Sequence, residues 1–180
     1  MSTESNLLFA ALNGSIDLCN RILDSNVDIN LKSPQGETPL IIAAKKGFAA
    51  VVDLLVARGA DIDIEATGGW TALQRACQGG FDRVAEILLR NRRSTPESER
   101  DINVAFNFAA ACGHLSCIKL LLSFRADVQS RPKQNATALH WAAHNGHSSV
   151  VKLLLAAGAA VDAEADGRLT PLRLAAGAGS

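Results

Sequence analysis

A short motif that returns every 33 residues constrains this chain more than any other feature of its sequence. Thr-Pro-Leu or Thr-Ala-Leu begins at Thr38, Thr71, Thr137 and Thr170, and the degenerate copies Ser5-Asn-Leu7 and Val104-Ala-Phe106 complete the series. A glycine lies nine positions after each of these anchors, at Gly14, Gly47, Gly80, Gly113, Gly146 and Gly179. A fixed period of this length predicts a stack of small units rather than one globular core.

Each unit is predicted to fold as two short helices followed by an extended finger. Thr38 is placed to cap the first helix through its hydroxyl, and Pro39 suits the first helical position, where a backbone donor is not needed. Gly47 permits the reversal that ends this helix. A second helix with apolar residues at helical spacing follows at 51–55, and Gly59 closes it. The predicted class is therefore all-α, with β-turn fingers.

The segment Thr137-Ala-Leu-His-Trp-Ala-Ala-His-Asn-Gly-His147 resembles an ankyrin repeat, and so does the segment that begins Gly36-Glu-Thr-Pro-Leu40. The resemblance extends over roughly residues 4–180 and implies an all-α ankyrin-repeat solenoid, with fingers and first helices along its concave side. Six repeats are expected, the last incomplete. They span residues 4–32, 33–65, 66–98, 99–131, 132–164 and 165–180.

Two departures from the repeat pattern carry expectations of their own. Residues 91–103 replace the usual closing motif with a polar, charged stretch, so a mobile irregular finger or loop is expected there. The fourth copy has Val104 at the capping position and is expected to be the least rigid. Within the polar stretch, Thr95-Pro96 is interpreted as ordinary loop, with proline-directed phosphorylation as the alternative.

The sixth copy stops before its second helix, which is expected to leave Leu172 and Leu174 without their usual cover. Either the chain is a fragment of a longer protein, which is the preferred interpretation, or its last helix acts as an improvised cap. Self-association through this uncapped C-terminal repeat is expected as a consequence.

Composition and motifs argue against several other functions. Eighteen basic and eighteen acidic residues balance to a net charge of zero, which does not favour nucleic-acid binding. The apolar segment 150–161 is shorter than the roughly 20 residues that cross a membrane, and no secretory signal is apparent, so an intracellular, cytoplasmic or nuclear protein is expected. Catalytic motifs are absent, and Cys112, His114 and Cys117 are interpreted as repeat positions rather than zinc ligands. No catalytic residue, cofactor or metal is therefore expected.

The resemblance implies that a partner protein contacts the finger tips and the exposed side of the first helices. The expected contact residues are Glu37, Lys45, Lys46, Trp70, Gln78, Arg100, Asp101, Lys133, Asn135, Trp141, His144, Asn145 and Arg168. Trp70 is expected either to stand as an exposed anchor or to fold back onto a neighbouring finger. Trp141 lies in a stripe four positions after the anchors, interpreted as packing between repeats, with an apolar peptide groove as the alternative.

The function predicted from these features is a non-catalytic protein–protein interaction module, part of a larger signalling or regulatory protein. A small free-standing inhibitor or adaptor is one alternative. The other is a recognition domain of an enzyme whose catalytic part lies outside this chain. The sequence does not specify the partner, because the surface of a fold varies independently of its core.

Overall fold

The computed structural model describes residues 3–132 and 134–179, with side chains from residue 6 onward. It separates into two compact units, residues 1–93 and 94–180. Within the described residues the regular structure is helical, with isolated β-bridges in two of the fingers.

The first unit contains three helix pairs. Their helices are α1 (Thr3–Leu12), α2 (Ile16–Leu23), α3 (Pro39–Lys46), α4 (Ala49–Ala57), α5 (Ala72–Gly79) and α6 (Asp82–Arg90). The first helices pack in the order α1, α3, α5, and the second helices pack in the order α2, α4, α6. Each first helix also packs against its own second helix, so the unit has two helical layers.

The second unit repeats this arrangement from α7 (Pro96–Ala111) and α8 (Leu115–Ser123) to α9 (Ala138–His144) and α10 (Ser148–Ala156). A short 3-10 turn, Asp166–Arg168, precedes the last helix, α11 (Pro171–Ala178). Helix α9 packs against both α7 and α11, which places it in the middle of the first-helix layer of this unit.

The predicted caps are present. Oγ1 of Thr38 accepts from the Ile41 N–H at 3.3 Å, and Thr71 and Thr170 make the equivalent bonds at 3.2 and 3.3 Å. At the other end of these helices, Gly47 adopts φ 77°, a left-handed conformation that a glycine reaches without steric penalty. The other register glycines also have positive φ where the backbone is described, which is why the glycine returns at a constant interval.

The fingers are hairpin-like turns held by backbone hydrogen bonds. In the first unit the Ala66 N–H donates to the Trp70 carbonyl at 2.9 Å, and the Thr67 N–H donates to Gln35 of the preceding finger at 3.1 Å. In the second unit the Ala165 N–H donates to the Leu169 carbonyl at 2.9 Å. The Asp166 N–H also donates to the Gln134 carbonyl of the preceding finger at 3.5 Å, so neighbouring fingers lie side by side within each unit.

The expectation of an irregular loop over residues 91–103 is wrong for most of that stretch, because α7 begins at Pro96 and continues without interruption to Ala111. Thr95 and Ser98 form a capping box: Oγ1 of Thr95 accepts from the Ser98 N–H at 3.2 Å, and the Thr95 N–H donates to Ser98 Oγ at 2.9 Å. Two acidic residues lie in the first turn, where the helix dipole favours negative charge. The cap that Val104 cannot provide is thus supplied nine residues earlier.

The second residue after the anchor is a core position of the repeat. Leu40, Leu73, Phe106 and Leu139 occupy this position and are all at most 2 % exposed, which places them inside the helical layers. Leu172 occupies the same position in α11 and is 75 % exposed. Leu172 is therefore exposed as expected, whereas Leu174, for which the same exposure was expected, is half-buried.

Candidate partner-binding surface

Trp141 is the half-buried aromatic residue of α9, and it borders two cavities in the second unit. The first cavity, which we call the Trp141 cup, has a volume of about 160 Å³. Its lining residues are Val104, Asn107, Phe108, Ala111, Pro132 and Trp141. The second cavity, of about 280 Å³, lies on the side of α11 and is lined in part by His140, His144, Asp166 and Leu169. Trp141 thus separates two concave surfaces, which is the shape a partner side chain can enter.

His140 holds α9 against the following finger. Its Nδ1 accepts from the Thr137 N–H at 3.1 Å and lies 2.8 Å from the Thr137 hydroxyl. Nε2 lies 3.1 Å from the Leu169 carbonyl oxygen, which can only accept, so Nε2 carries the proton of a neutral ring. The side chain is fully buried, and this burial lowers the pKa of His140. The neutral ring therefore positions Trp141, which follows it directly on α9.

Asn107 occupies the register position of His140 one repeat earlier, three residues after the anchor. Its Nδ2 donates to the Asn103 carbonyl at 2.9 Å and to Ser130 Oγ at 3.4 Å. Oδ1 is buried and has no hydrogen-bond partner among the residues that the structure describes. The shorter side chain thus leaves one strong acceptor unused at a residue that lines the Trp141 cup.

Trp70 is not the isolated, exposed side chain that was one of the two expectations for it. Its ring stacks against the Arg75 guanidinium, whose central carbon lies 3.9 Å from the ring centroid. Arg75 in turn donates to Oε1 of Gln78 at 3.2 Å. These three residues form a cluster between the finger and α5 of the first unit, and the Trp70 side chain is half-buried.

The remaining predicted residues of the first unit lie on α3 and its finger. Glu37 accepts from Nζ of Lys45 at 2.9 Å, which joins the finger to the end of the helix. Lys46 is exposed beside it. The Lys45 side chain is 46% exposed and the Glu37 side chain only 16%, so the two lysines are the more accessible to a partner.

In the second unit, Arg100 is exposed on α7, whereas Asp101 is only 7 % exposed. The expectation that Asp101 lies at a finger tip is therefore wrong: the residue lies inside a helix, because α7 begins before it. Lys133 lies outside the described residues.

Other predicted residues of this unit surround α9. Asn135 and Arg168 are exposed at finger tips with positive φ of 50° and 58°. His144 is exposed at the end of α9, and Asn145 donates from Nδ2 to the Ala111 carbonyl at 2.8 Å. The structure brings His144 and Trp141 together at one cavity, but Asn135 and Arg168 are not among the residues that line the Trp141 cup.

Sequence reasoning missed Asn107, Pro132 and Leu169, which line the two cavities. One signal could have found Asn107: the third residue after the anchor is Ile41 in the second copy, but Gln74, Asn107 and His140 in the next three. A polar residue at a predicted core position indicates a hydrogen-bonding role.

Metal-ligand residue types do not converge. Among the described residues, no three His, Cys, Asp or Glu side chains are placed to hold one ion together. The four cysteines, all within the described residues, form no disulfide, and desolvation by burial raises the pKa of the Cys112 thiol. None of the helices that the structure describes has the length and apolar character required to cross a membrane.

Comparison with known proteins agrees with this geometry. The family model for ankyrin repeats (3 copies) matches residues 7–103 and 106–180. The crystal structure of the human ASB11 ankyrin repeat domain is similar with a TM-score of 0.85 and 26% identity, over 94% of this chain and 76% of that one. No curated protein matches the chain in sequence. Ankyrin repeats are generally protein–protein interaction modules, and their fold is typically non-catalytic. The chain, an all-helical ankyrin solenoid, belongs to the ankyrin repeat family.

Proposed function

We propose that this protein is a non-catalytic interaction module that binds a partner protein across the first-helix layer and finger tips of its second unit, with Trp141 at the centre. The observation that carries the proposal is the position of Trp141 between two cavities. Aromatic side chains that line concave surfaces are frequent energetic centres of protein interfaces.

The surroundings of Trp141 support this choice over Trp70. Helix α9 is fixed on both sides, by α7 and α11 and through His140, so Trp141 presents its ring from a rigid element. Polar groups that can orient a partner, such as His144 and Asn135, lie on the same helix or the finger before it. Trp70 is already engaged with Arg75, and a partner would have to compete with that contact.

The test is a selection of peptides from a random displayed library, with the full chain as bait. Affinities of the selected peptides are then measured for the wild-type chain and for Trp141→Ala. We expect Trp141→Ala to weaken binding by at least about tenfold, because loss of a central aromatic residue removes a large part of the interface energy.

Trp70→Ala is the matched control, since it removes the same side chain from the other unit. We expect this variant to retain affinity and to unfold at a lower denaturant concentration, because the stacking on Arg75 is lost. Circular dichroism establishes that both variants are folded. Equal affinity for the wild-type chain and Trp141→Ala would refute the proposed surface.

A further inference from the structure

The larger of the two cavities beside Trp141, which we call the Asp166 cavity, combines apolar and polar side chains. It has a volume of about 280 Å³ and is lined by residues of α9, α11 and the fingers that precede these helices. Trp141 and Leu174 contribute apolar surface. The polar side chains of its wall include Gln134, His144 and Asp166, and no lysine or arginine of the described chain lines it. The cavity thus combines an aromatic ring with one acidic residue.

The carboxylate of Asp166 is exposed and forms no ion pair within the part of the chain that the structure describes. The arginines of the neighbouring fingers and of α11 are directed elsewhere. Nη1 of Arg131 donates to the Glu164 carbonyl at 2.7 Å, and Nη1 of Arg173 donates to the Arg168 carbonyl at 2.9 Å. The negative charge of Asp166 therefore remains open to a cation from outside the chain.

The first unit contains a tryptophan that is already matched with a cation. There the Arg75 guanidinium lies 3.9 Å from the centroid of the Trp70 ring, and its Nη1 donates to a side-chain oxygen of Gln78 at 3.2 Å. Trp141 occupies the register position of Arg75, four residues after the anchor, so in this repeat the helix supplies the ring instead of the cation. Among the described residues no guanidinium is stacked on Trp141. The matching cation is thus missing from the second unit.

We propose that the Asp166 cavity binds an arginine side chain of the partner protein, with the guanidinium stacked on Trp141 and paired with the carboxylate of Asp166. The inference rests on the proposed function and specifies the chemistry of the partner at that surface. Arginine fits because the flat face of the guanidinium contacts an aromatic ring while its N–H groups, which lie in the plane, donate to a carboxylate.

Other side chains fit this chemistry less well. The ammonium of lysine is a compact, strongly hydrated charge without a flat face, so it gains less from the ring. An acidic or phosphorylated side chain would meet the like charge of Asp166. An apolar side chain would contact Trp141 and Leu174 but would make no use of the carboxylate. The pairing of one ring with one carboxylate thus distinguishes arginine from the alternatives.

The experiment titrates the isotope-labelled full chain with three small probes and follows its NMR spectrum. The probes are the N-acetyl amides of arginine, citrulline and lysine. Citrulline has nearly the shape of arginine, but an uncharged urea group replaces the guanidinium. We expect the arginine probe to shift the indole N–H signal of Trp141 and the backbone signal of Asp166. Citrulline should bind about three- to tenfold more weakly, because it lacks the cation that the ring and the carboxylate contact. Lysine should also bind more weakly than arginine.

Asp166→Asn removes the negative charge and keeps the shape of the side chain. In this variant the arginine probe should lose most of its advantage over citrulline. Asp162→Asn is the matched control, because it makes the same change at an exposed position outside the cavity lining, and the advantage should remain. The comparison of arginine with citrulline uses the unmodified chain, so it does not depend on how the variants fold.

Equal affinities for the arginine and citrulline probes would overturn the inference, as would shifts confined to residues outside the Asp166 cavity. An equal loss of the arginine advantage in Asp162→Asn and Asp166→Asn would also overturn it, because the attraction would then be a general effect of charge. The displayed library separates this inference from the proposed function. Peptides that depend on Trp141 but bind equally well when their arginines are replaced by citrulline would refute the inference alone, whereas peptides indifferent to Trp141 would refute the proposed function.

Discussion

Three buried polar side chains share one register position, three residues after the anchor, and differ in what they bind. Gln74 and Asn107 are each 6% exposed, and His140 is fully buried. A buried polar group destabilises the fold unless it is hydrogen-bonded, so the choice of residue matters here more than at a surface position. His140 satisfies both of its nitrogens, whereas Asn107 leaves an oxygen available. The same place in the repeat therefore holds a fully hydrogen-bonded side chain in one copy and a side chain with an enclosed, unpaired oxygen in the copy before it.

The burial of His140 predicts a pH-dependent stability. Burial lowers the pKa of His140 in the folded state, with Arg131 contributing in the same direction, so the unfolded chain binds a proton more readily. The stability that depends on the neutral ring is fully present above the unfolded pKa of about 6.5 and declines as the pH falls below it. We expect the midpoint of chemical unfolding to decrease from pH 7.5 to pH 5.5.

His140→Gln should reduce this decrease, because an amide can accept and donate but does not titrate in this range. His144→Gln is the matched control, since His144 is exposed at the end of the same helix, and it should leave the pH dependence unchanged. A pH dependence that is the same in wild type and His140→Gln would show that another group is responsible.

At the scale of whole elements, the sequence predicted those helices whose boundaries depend on local signals. Thr38 and Gly47 bound α3 as expected, because a threonine cap and a left-handed glycine act within a few residues. The polar composition of residues 91–103 was misleading, because Thr95 and Ser98 form a capping box with Pro96 in the first turn, and the acidic residues that follow also suit a helix N-terminus.

The Trp141 cup could not be predicted in this way. It joins Asn107 on α7 to Trp141 on α9, which are 34 residues apart in sequence, and to Pro132 in the finger between them. Whether such side chains enclose a space depends on helix packing and on side-chain orientation, which periodicity does not determine. The sequence located Trp141 at the correct register position but did not indicate that the ring borders two cavities.

The start of α7 predicts a measurable effect of its cap. Thr95→Ala removes the oxygen that accepts from the Ser98 N–H, and we expect the free energy of unfolding to fall by about 1 kcal/mol. Amide hydrogen exchange in the first turn of α7 should accelerate, while exchange in α9 should be affected less. Ser94→Ala, one residue earlier and exposed, is the control and should have little effect. If both variants lose equal stability, the capping box does not determine where α7 begins.

At the scale of the whole molecule, one residue departs from the pattern of burial that the repeat shows elsewhere. The second residue after the anchor is buried wherever a complete helix pair follows it, as at Leu40 and Leu139, but Leu172 of α11 is 75 % exposed. Burying such a side chain against another surface yields about 1.5–3 kcal/mol. An exposed leucine on a helix surface thus favours association with another apolar surface.

We therefore expect the chain to self-associate with increasing concentration through the surface around Leu172, and Leu172→Glu to shift it toward monomer in sedimentation velocity. Two copies that each bury this leucine would gain about twice the energy of one, enough to change the dissociation constant by orders of magnitude. Leu12→Glu is the matched control, because Leu12 is 46 % exposed on α1 of the other unit. If Leu12→Glu dissociates the assembly and Leu172→Glu does not, the contact lies at the first repeat. If the wild-type chain remains monomeric at every concentration, the exposure of Leu172 does not drive self-association.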